Sequence, residues 1–144
     1  MNRIKTRIEP TWDAHTVRIA VRFNEVDSMK IVWHGHYVAY CETARGLSYQ
    51  DMERLGCLAP VVRMQFEFLR PIKAGQEIQV TCAHLPGGEP KLECFYEIRD
   101  EAGGLLSIAE SVQVFVDRNG EVFLSAPEPV ANLFARINQS RAQK

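Results

Sequence analysis

Asp27, His34 and His36 stand close together in the run Asp27-Ser28-Met29-Lys30-Ile31-Val32-Trp33-His34-Gly35-His36-Tyr37. The two histidines follow the carboxylate by seven and nine residues. A helical pattern opens in the second half of the segment. A carboxylate thus precedes a helix start flanked by imidazoles. The first amide N–H groups of a helix have no carbonyl partner within it, and the helix dipole makes them electropositive. Such amides can hold the oxyanion that forms when an acyl carbonyl is attacked. The candidate chemistry is acyl chemistry, with Asp27 as base or nucleophile.

The surrounding elements must position that segment. Val17 to Phe23 alternates apolar and other residues, which predicts a half-buried strand. Residues 24–33 read as a loop. From Gly35 the period changes: Tyr37, Tyr40, Cys41, Ala44, Leu47, Ser48, Met52 and Leu55 share one helical stripe. Gly56 is a natural C-cap, so one helix of about 20 residues is expected to end there. Strands follow over Val62–Arg70, Glu77–His84, Leu92–Arg99 and Leu105–Val116. Turn signals separate them: Pro71 with Gly75, Pro86 to Pro90, Asp100 to Gly104, and Asp117-Arg118-Asn119-Gly120. Pro127 to Ile137 suits a short C-terminal helix. One strand, one long helix and four strands joined mostly by hairpins predict an α+β fold with an antiparallel sheet.

With 144 residues and no linker or repeat, a single domain is expected over 1–144, its core about 17–130. A net charge of −1 gives no footprint for nucleic acid. The basic start, Met1 to Arg7, is followed by Glu9, Pro10, Trp12 and Asp13 where a signal peptide would be apolar, and no run suits a membrane span. A cytoplasmic location is expected. Cys41, Cys57, Cys82 and Cys94 contain no Cys-x-x-Cys pair. Buried, reduced thiols are the leading reading, with a zinc site or disulfide as the lesser one.

Asp27, the apolar pair Ile31-Val32, Trp33, His34 seven residues after the Asp and Tyr37 ten after it form a pattern. Glu42-Thr43-Ala44-Arg45 follows, and farther on stand Arg63, Pro71 and Gly75. Together they resemble the 4-hydroxybenzoyl-CoA thioesterase-like group of hotdog-fold proteins, within it the small bacterial acyl-CoA thioesterases. The likeness covers roughly Val17 to Val130. It implies five antiparallel strands wrapped around one long central helix. It also implies hydrolysis of a fatty or aromatic acyl-CoA, or an acyl carrier protein thioester, to the free acid. Asp27 would attack the thioester or activate water. The His34 and Gly35 amides would polarise its carbonyl, and Trp33, His36, Tyr37, Arg63 and Met64 would meet substrate. The family often has Gly where Lys30 stands. Lys resists positive φ by roughly 1 kcal/mol, so the loop is expected to bend differently, with Lys30 near the substrate's anionic end.

No cofactor is expected, because water and a carboxylate suffice for a thioester. A metal held by Asp27, His34 and His36 is disfavoured, since rings two apart at a helix start diverge. No Gly-x-Ser-x-Gly elbow supports a serine hydrolase. The alternatives are a non-catalytic acyl-thioester-binding subunit and a hotdog hydratase or dehydratase. Arg63, Arg70, Lys73 and Lys91 could meet coenzyme A phosphates. A homo-oligomer, dimer or tetramer, is expected. Met64, Phe66 and Phe68 alternate on one strand and Val112, Val114 and Val116 on another, and one helix shields only one face.

Overall fold

The computed structural model describes residue 8 and residues 13–46, 53–54, 56–85 and 91–123. Five strands form one antiparallel sheet: β1 (Asp13–Ala20), β2 (Val61–Phe68), β3 (Glu77–His84), β4 (Lys91–Asp100) and β5 (Leu105–Val114). The architecture is the α+β arrangement that the order of sequence patterns predicts. Across the sheet the order is β1-β3-β4-β5-β2. β3, β4 and β5 follow one another as neighbours, as hairpin reading requires. β2 and β3 do not: the chain leaves β2 at one edge and crosses over before β3. That crossover, residues 69–76, carries Ile72, which is fully buried.

Alternation decides the faces. Ile78, Val80, Cys82 and His84 of β3 and Leu92, Cys94, Tyr96 and Ile98 of β4 share one buried face. β5 adds Ser107, Ala109, Ser111 and Gln113, also buried. The polar members find partners: Ser107 donates to the Glu67 carbonyl at 2.7 Å, Ser111 pairs with the Tyr96 hydroxyl at 2.8 Å, and Gln113 Nε2 donates to the Ala59 carbonyl at 2.7 Å. Val112 and Val114 point the other way and are half-buried.

The helix α1 (Tyr37–Arg45) lies over the β3 and β1 end of this face. Tyr37, Tyr40, Cys41 and Ala44 are buried, as the helical stripe requires. Its length differs from expectation. Gly46 takes a left-handed φ of 73°, and its amide bonds to the Glu42 carbonyl at 3.1 Å, so the helix is capped there. Gly56 does end helical structure: its φ is 70° and its amide bonds to the Glu53 carbonyl. Leu47, Ser48, Met52 and Leu55, the Pro86–Pro90 turn and the Pro127–Ile137 helix lie outside the described residues. No helix among the described residues is long and apolar enough to cross a membrane.

One turn is built three times. In Asp100-Glu101-Ala102-Gly103 and Asp117-Arg118-Asn119-Gly120, the Asp carbonyl accepts the amide three residues on, the Asp Oδ1 accepts a nearby backbone amide (Gly104 just after the first turn, Asn119 within the second), and Gly takes positive φ (89° and 85°). This is a tight hairpin loop closed by a left-handed residue, a common hairpin connection. Asp27-Ser28-Met29-Lys30 repeats it: Lys30 N bonds to Asp27 O at 3.0 Å, Asp27 N bonds to Ile31 O at 2.8 Å, and Met29 N bonds to Asp27 Oδ1 at 2.8 Å. Lys30 sits where the others have Gly, with φ 63°, and is the one positive-φ residue other than Gly among the described residues. The expectation of a differently bent loop is therefore overturned. The surrounding hydrogen bonds impose the turn, and Lys30 bears the strain.

Relieving that strain is a direct test. Left-handed φ costs an L-residue about 1–2 kcal/mol, and the greater unfolded-state freedom of Gly returns roughly 0.5–1 kcal/mol. Lys30→Gly is expected to hold or raise stability by up to about 1 kcal/mol, while β-branched Lys30→Val lowers it by at least about 1 kcal/mol. Urea unfolding midpoints would decide. A clear loss of stability in Lys30→Gly would mean that Lys30 is held by something other than the turn.

Candidate active site

The Asp27 turn does not hang free. The strandlets beside it pair through Val26 and Val32, and Trp33 N bonds to Glu25 O at 3.0 Å. The same hairpin is laced to the crossover: Val32 N bonds to Ile72 O at 2.8 Å, Ala74 N bonds to Lys30 O at 2.9 Å, and Ile31 pairs with Lys73. Asp27 is thereby fixed by backbone contacts on both sides. Its Oδ1 is committed to Met29 N, and its Oδ2 has no hydrogen-bond partner among the described residues. The side chain is exposed.

Trp33 begins the helical segment as its N-cap, in extended conformation. A 3-10 turn over His34–His36 runs straight into α1. His36 N bonds to Trp33 O at 3.0 Å. The His34 and Gly35 amides come earlier and have no carbonyl three residues back inside the turn. The Trp33 ring stacks at a tilt on His34, centroids 5.0 Å apart, and meets His36 edge-on at 5.6 Å. It also covers Gly35: a Cβ there would run into the indole. A side chain at Gly35 would therefore have to push the half-exposed indole aside; the constraint is room, not backbone freedom.

Asp27 and His34 open on one cleft of about 400 Å³, with Ile31, Val32, Trp33 and Tyr37 on one side and Phe68, Leu69, Arg70 and Pro71 on the other. Tyr37 meets Phe68 edge-on at 4.9 Å, and Phe68 stacks on Phe66 at 5.8 Å. Burial raises the Tyr37 pKa, with a backbone hydrogen bond at Ile72 pulling weakly the other way. Burial, together with the Glu25 carboxylate that accepts its hydroxyl at 3.1 Å, raises that of Tyr40 further. Both are neutral phenols, suited to packing and hydrogen bonding. Arg70 reaches Asp100 at 3.9 Å and the Leu105 carbonyl at 3.3 Å, with most of its length exposed at the cleft.

Of the residues singled out in the sequence, the cleft gathers Asp27, Ile31, Val32, Trp33, His34, Tyr37 and Arg70. Gly35 and His36 lie next in the chain, against Trp33. Arg63 is exposed on β2, and Met64 packs against the core; neither lines the cleft within this chain. Sequence reasoning missed Leu69 and Pro71, whose place depends on the crossover.

Comparison with known proteins bears on the family and the fold. The thioesterase-like superfamily matches residues 21–134. The chain is 33% identical over 107 residues to "Putative acyl-CoA thioesterase YneP" of Bacillus subtilis, covering 69% of this chain and 78% of that one. Among solved structures, a 1,4-dihydroxy-2-naphthoyl-CoA thioesterase from Synechocystis superposes with a TM-score of 0.75 at 20% identity, covering 88% of this chain and 98% of that one. Protein SAV2348 from Staphylococcus aureus, in complex with CoA, gives 0.78 at 16% identity, with 94% and 90% covered. The fold is the hotdog fold, and with the family pattern spanning the sheet and the cleft, the chain belongs to the thioesterase-like superfamily.

Proposed function

We propose that this protein hydrolyses an acyl-CoA to the free acid and CoA, in the cleft shared by Asp27 and the start of α1. The observation that carries this reading is that a carboxylate with one unengaged oxygen and the helix start at His34 line the same cleft, with Gly35 next in the chain, in a thioesterase-like chain. A relative named as an acyl-CoA thioesterase and a CoA-bound structural neighbour support the substrate class.

Asp27 Oδ2 takes a proton from water as the water oxygen attacks the thioester carbon, or attacks that carbon itself. Negative charge grows on the carbonyl oxygen, and the His34 and Gly35 amides, at the positive end of the helix dipole, hold it. The carbon–sulfur bond then breaks, and the CoA thiolate leaves and takes up a proton. Where Asp27 itself attacked, water then cleaves the acyl–Asp27 anhydride, releasing the acid and restoring the carboxylate. Trp33, Tyr37 and Phe68 give the acyl group an apolar wall, suited to fatty or aromatic chains. Arg70 and the exposed Lys30 offer cations to the phosphates of CoA.

We also propose that the working unit is a dimer or tetramer. The two sheet edges differ: β1 exposes His15, Thr16 and Arg18, whereas β2 exposes Val61, Val62 and Phe68. Leu69 and Trp33 extend the apolar surface to the cleft. Joining two subunits through β2 would cover this edge and bring Met64 and Arg63 of one subunit toward the cleft of the other.

Asp27→Asn preserves the turn, because an amide oxygen can still accept Met29 N–H, but removes the base. Its kcat should fall by about 10²–10⁴-fold with the fold intact. His34→Ala keeps the backbone amide and should lose less than roughly tenfold. Steady-state assays over a panel of acyl-CoAs, measuring free CoA, test both. More than about a third of wild-type activity in Asp27→Asn would remove Asp27 from the mechanism. Gly35→Ala should displace the indole and with it the adjoining amides, cutting kcat by at least roughly tenfold while the thermal midpoint moves only a few degrees. Wild-type rates in that variant would show that Trp33 and Gly35 do not set the oxyanion geometry. Light scattering during size exclusion should give a multiple of 16.4 kDa. A fully active species at the monomer mass would end the shared-edge model.

A further inference from the structure

The sheet holds a second chemical cluster, apart from the cleft. Cys82 and His84 are two apart on β3, so alternation puts both on the face toward α1. Cys94 lies directly opposite His84 in the β3–β4 register. Their ligand atoms all fall within 4.8 Å of one another, and all three residues are buried. Tetrahedral zinc, with Zn–S near 2.3 Å and Zn–N near 2.0 Å, holds its ligand atoms roughly 3.5–3.8 Å apart. The side chains need to close by about an ångström at most.

Two further observations favour an ion over an ordinary core. His84 Nδ1 lies 3.4 Å from the Asp13 carbonyl oxygen. An N–H at Nδ1 leaves Nε2 as the ring nitrogen with a lone pair, the usual outer support of a ligating histidine. The Arg45 side chain is only 10% exposed; it pairs with Glu42 at 3.9 Å and donates to the Tyr96 hydroxyl at 3.4 Å, while its Nε has no hydrogen-bond partner among the described residues. It lies within electrostatic reach of Cys41, Cys82 and Cys94. Cys41, fully buried on α1, belongs to the same core cluster but stands outside the group whose ligand atoms lie within 4.8 Å, so its side chain would have to move toward the ion.

We propose that Cys82, His84 and Cys94, completed by Cys41, form a buried zinc site. Three thiolates and a neutral imidazole around Zn²⁺ carry one net negative charge, beside which the Arg45 guanidinium, shared with Glu42, supplies a nearby positive charge. Each bound ion displaces the thiol protons to solvent. The site would clamp α1 to β3 and β4, and it does not depend on the catalytic reading.

Cobalt replaces zinc in such sites and reports thiolate ligation by charge-transfer absorption. The full-length protein, stripped with a chelator under reducing conditions and titrated with Co²⁺, should bind one equivalent. It should show strong tetrahedral visible bands, and Zn²⁺ should displace the cobalt. Cys82→Ser, Cys94→Ser and His84→Ala should abolish tight binding. Cys41→Ser should lose about a third of the charge-transfer intensity, as one of three thiolates, and Cys57→Ser none. Added Zn²⁺ should raise the thermal midpoint of the stripped wild type and not that of Cys94→Ser, which keeps the test sound where a variant is poorly folded. Weak octahedral bands, a Cys82–Cys94 disulfide with no metal uptake after reduction, or equal binding by Cys94→Ser and wild type would overturn the site. An unchanged spectrum in Cys41→Ser would overturn the fourth ligand.

Discussion

The cleft is a seam between two stretches of chain, and a few backbone hydrogen bonds hold it. Residues 21–33 and 69–76 run side by side, tied at Val21 to Gln76, at Lys30 to Ala74 and at Val32 to Ile72. The crossover is anchored in turn, since the Leu69 and Arg70 amides both bond to the Leu106 carbonyl. Ile72 sinks into the core between those anchors. Backbone hydrogen bonds made at the edge of a packed core are costly to leave unmade. This lacing places Asp27 on one wall and Phe68 to Pro71 on the other, and it forces Lys30 into a conformation its side chain disfavours.

The helix start is fixed by different means. Tyr40 reaches from α1 to Glu25, whose Oε1 also accepts Arg22 N at 2.8 Å, so helix and loop share one carboxylate. Tyr37 plugs the space above β2 through its edge-on contacts with Phe66 and Phe68. His34 therefore lines the cleft from a turn clamped at both ends, with the Trp33 indole beside it and against Gly35. Preorganised dipoles of this kind stabilise developing charge without moving when it appears.

Local patterns carried much of this architecture. The later strands followed from alternation, whereas the first, expected over Val17 to Phe23, lies at Asp13–Ala20 with Phe23 in a 3-10 turn. β3 was bounded to the residue because Pro71 and Gly75 before it and Pro86 after it are strong stops. Asp27 and the helix start were legible because their spacing is short-range. The helix length was not: a stripe of apolar residues continues past Gly46, and periodicity cannot tell which glycine caps. The crossover depends on which strands become neighbours across the sheet, so Leu69 and Pro71 gave no sign of lining the cleft. Cys82, His84 and Cys94 were hidden for the same reason. Twelve residues separate the two cysteines in sequence, and only the β3–β4 register closes that distance. At Lys30 a correct rule about side-chain preference met a stronger non-local constraint.

The burial of every cysteine has a practical consequence. Reagents that change colour on reaction with sulfhydryl groups need the sulfur within reach of solvent, and Cys41, Cys57, Cys82 and Cys94 are all enclosed by the native chain. Folded protein should contribute little background in a colorimetric assay of that kind, so the sulfhydryl of a small molecule set free in solution stands out against it. Once denatured, the same chain exposes four groups to the dye. A single reagent can thus follow turnover in real time and, in a denatured aliquot, titrate how much protein was present.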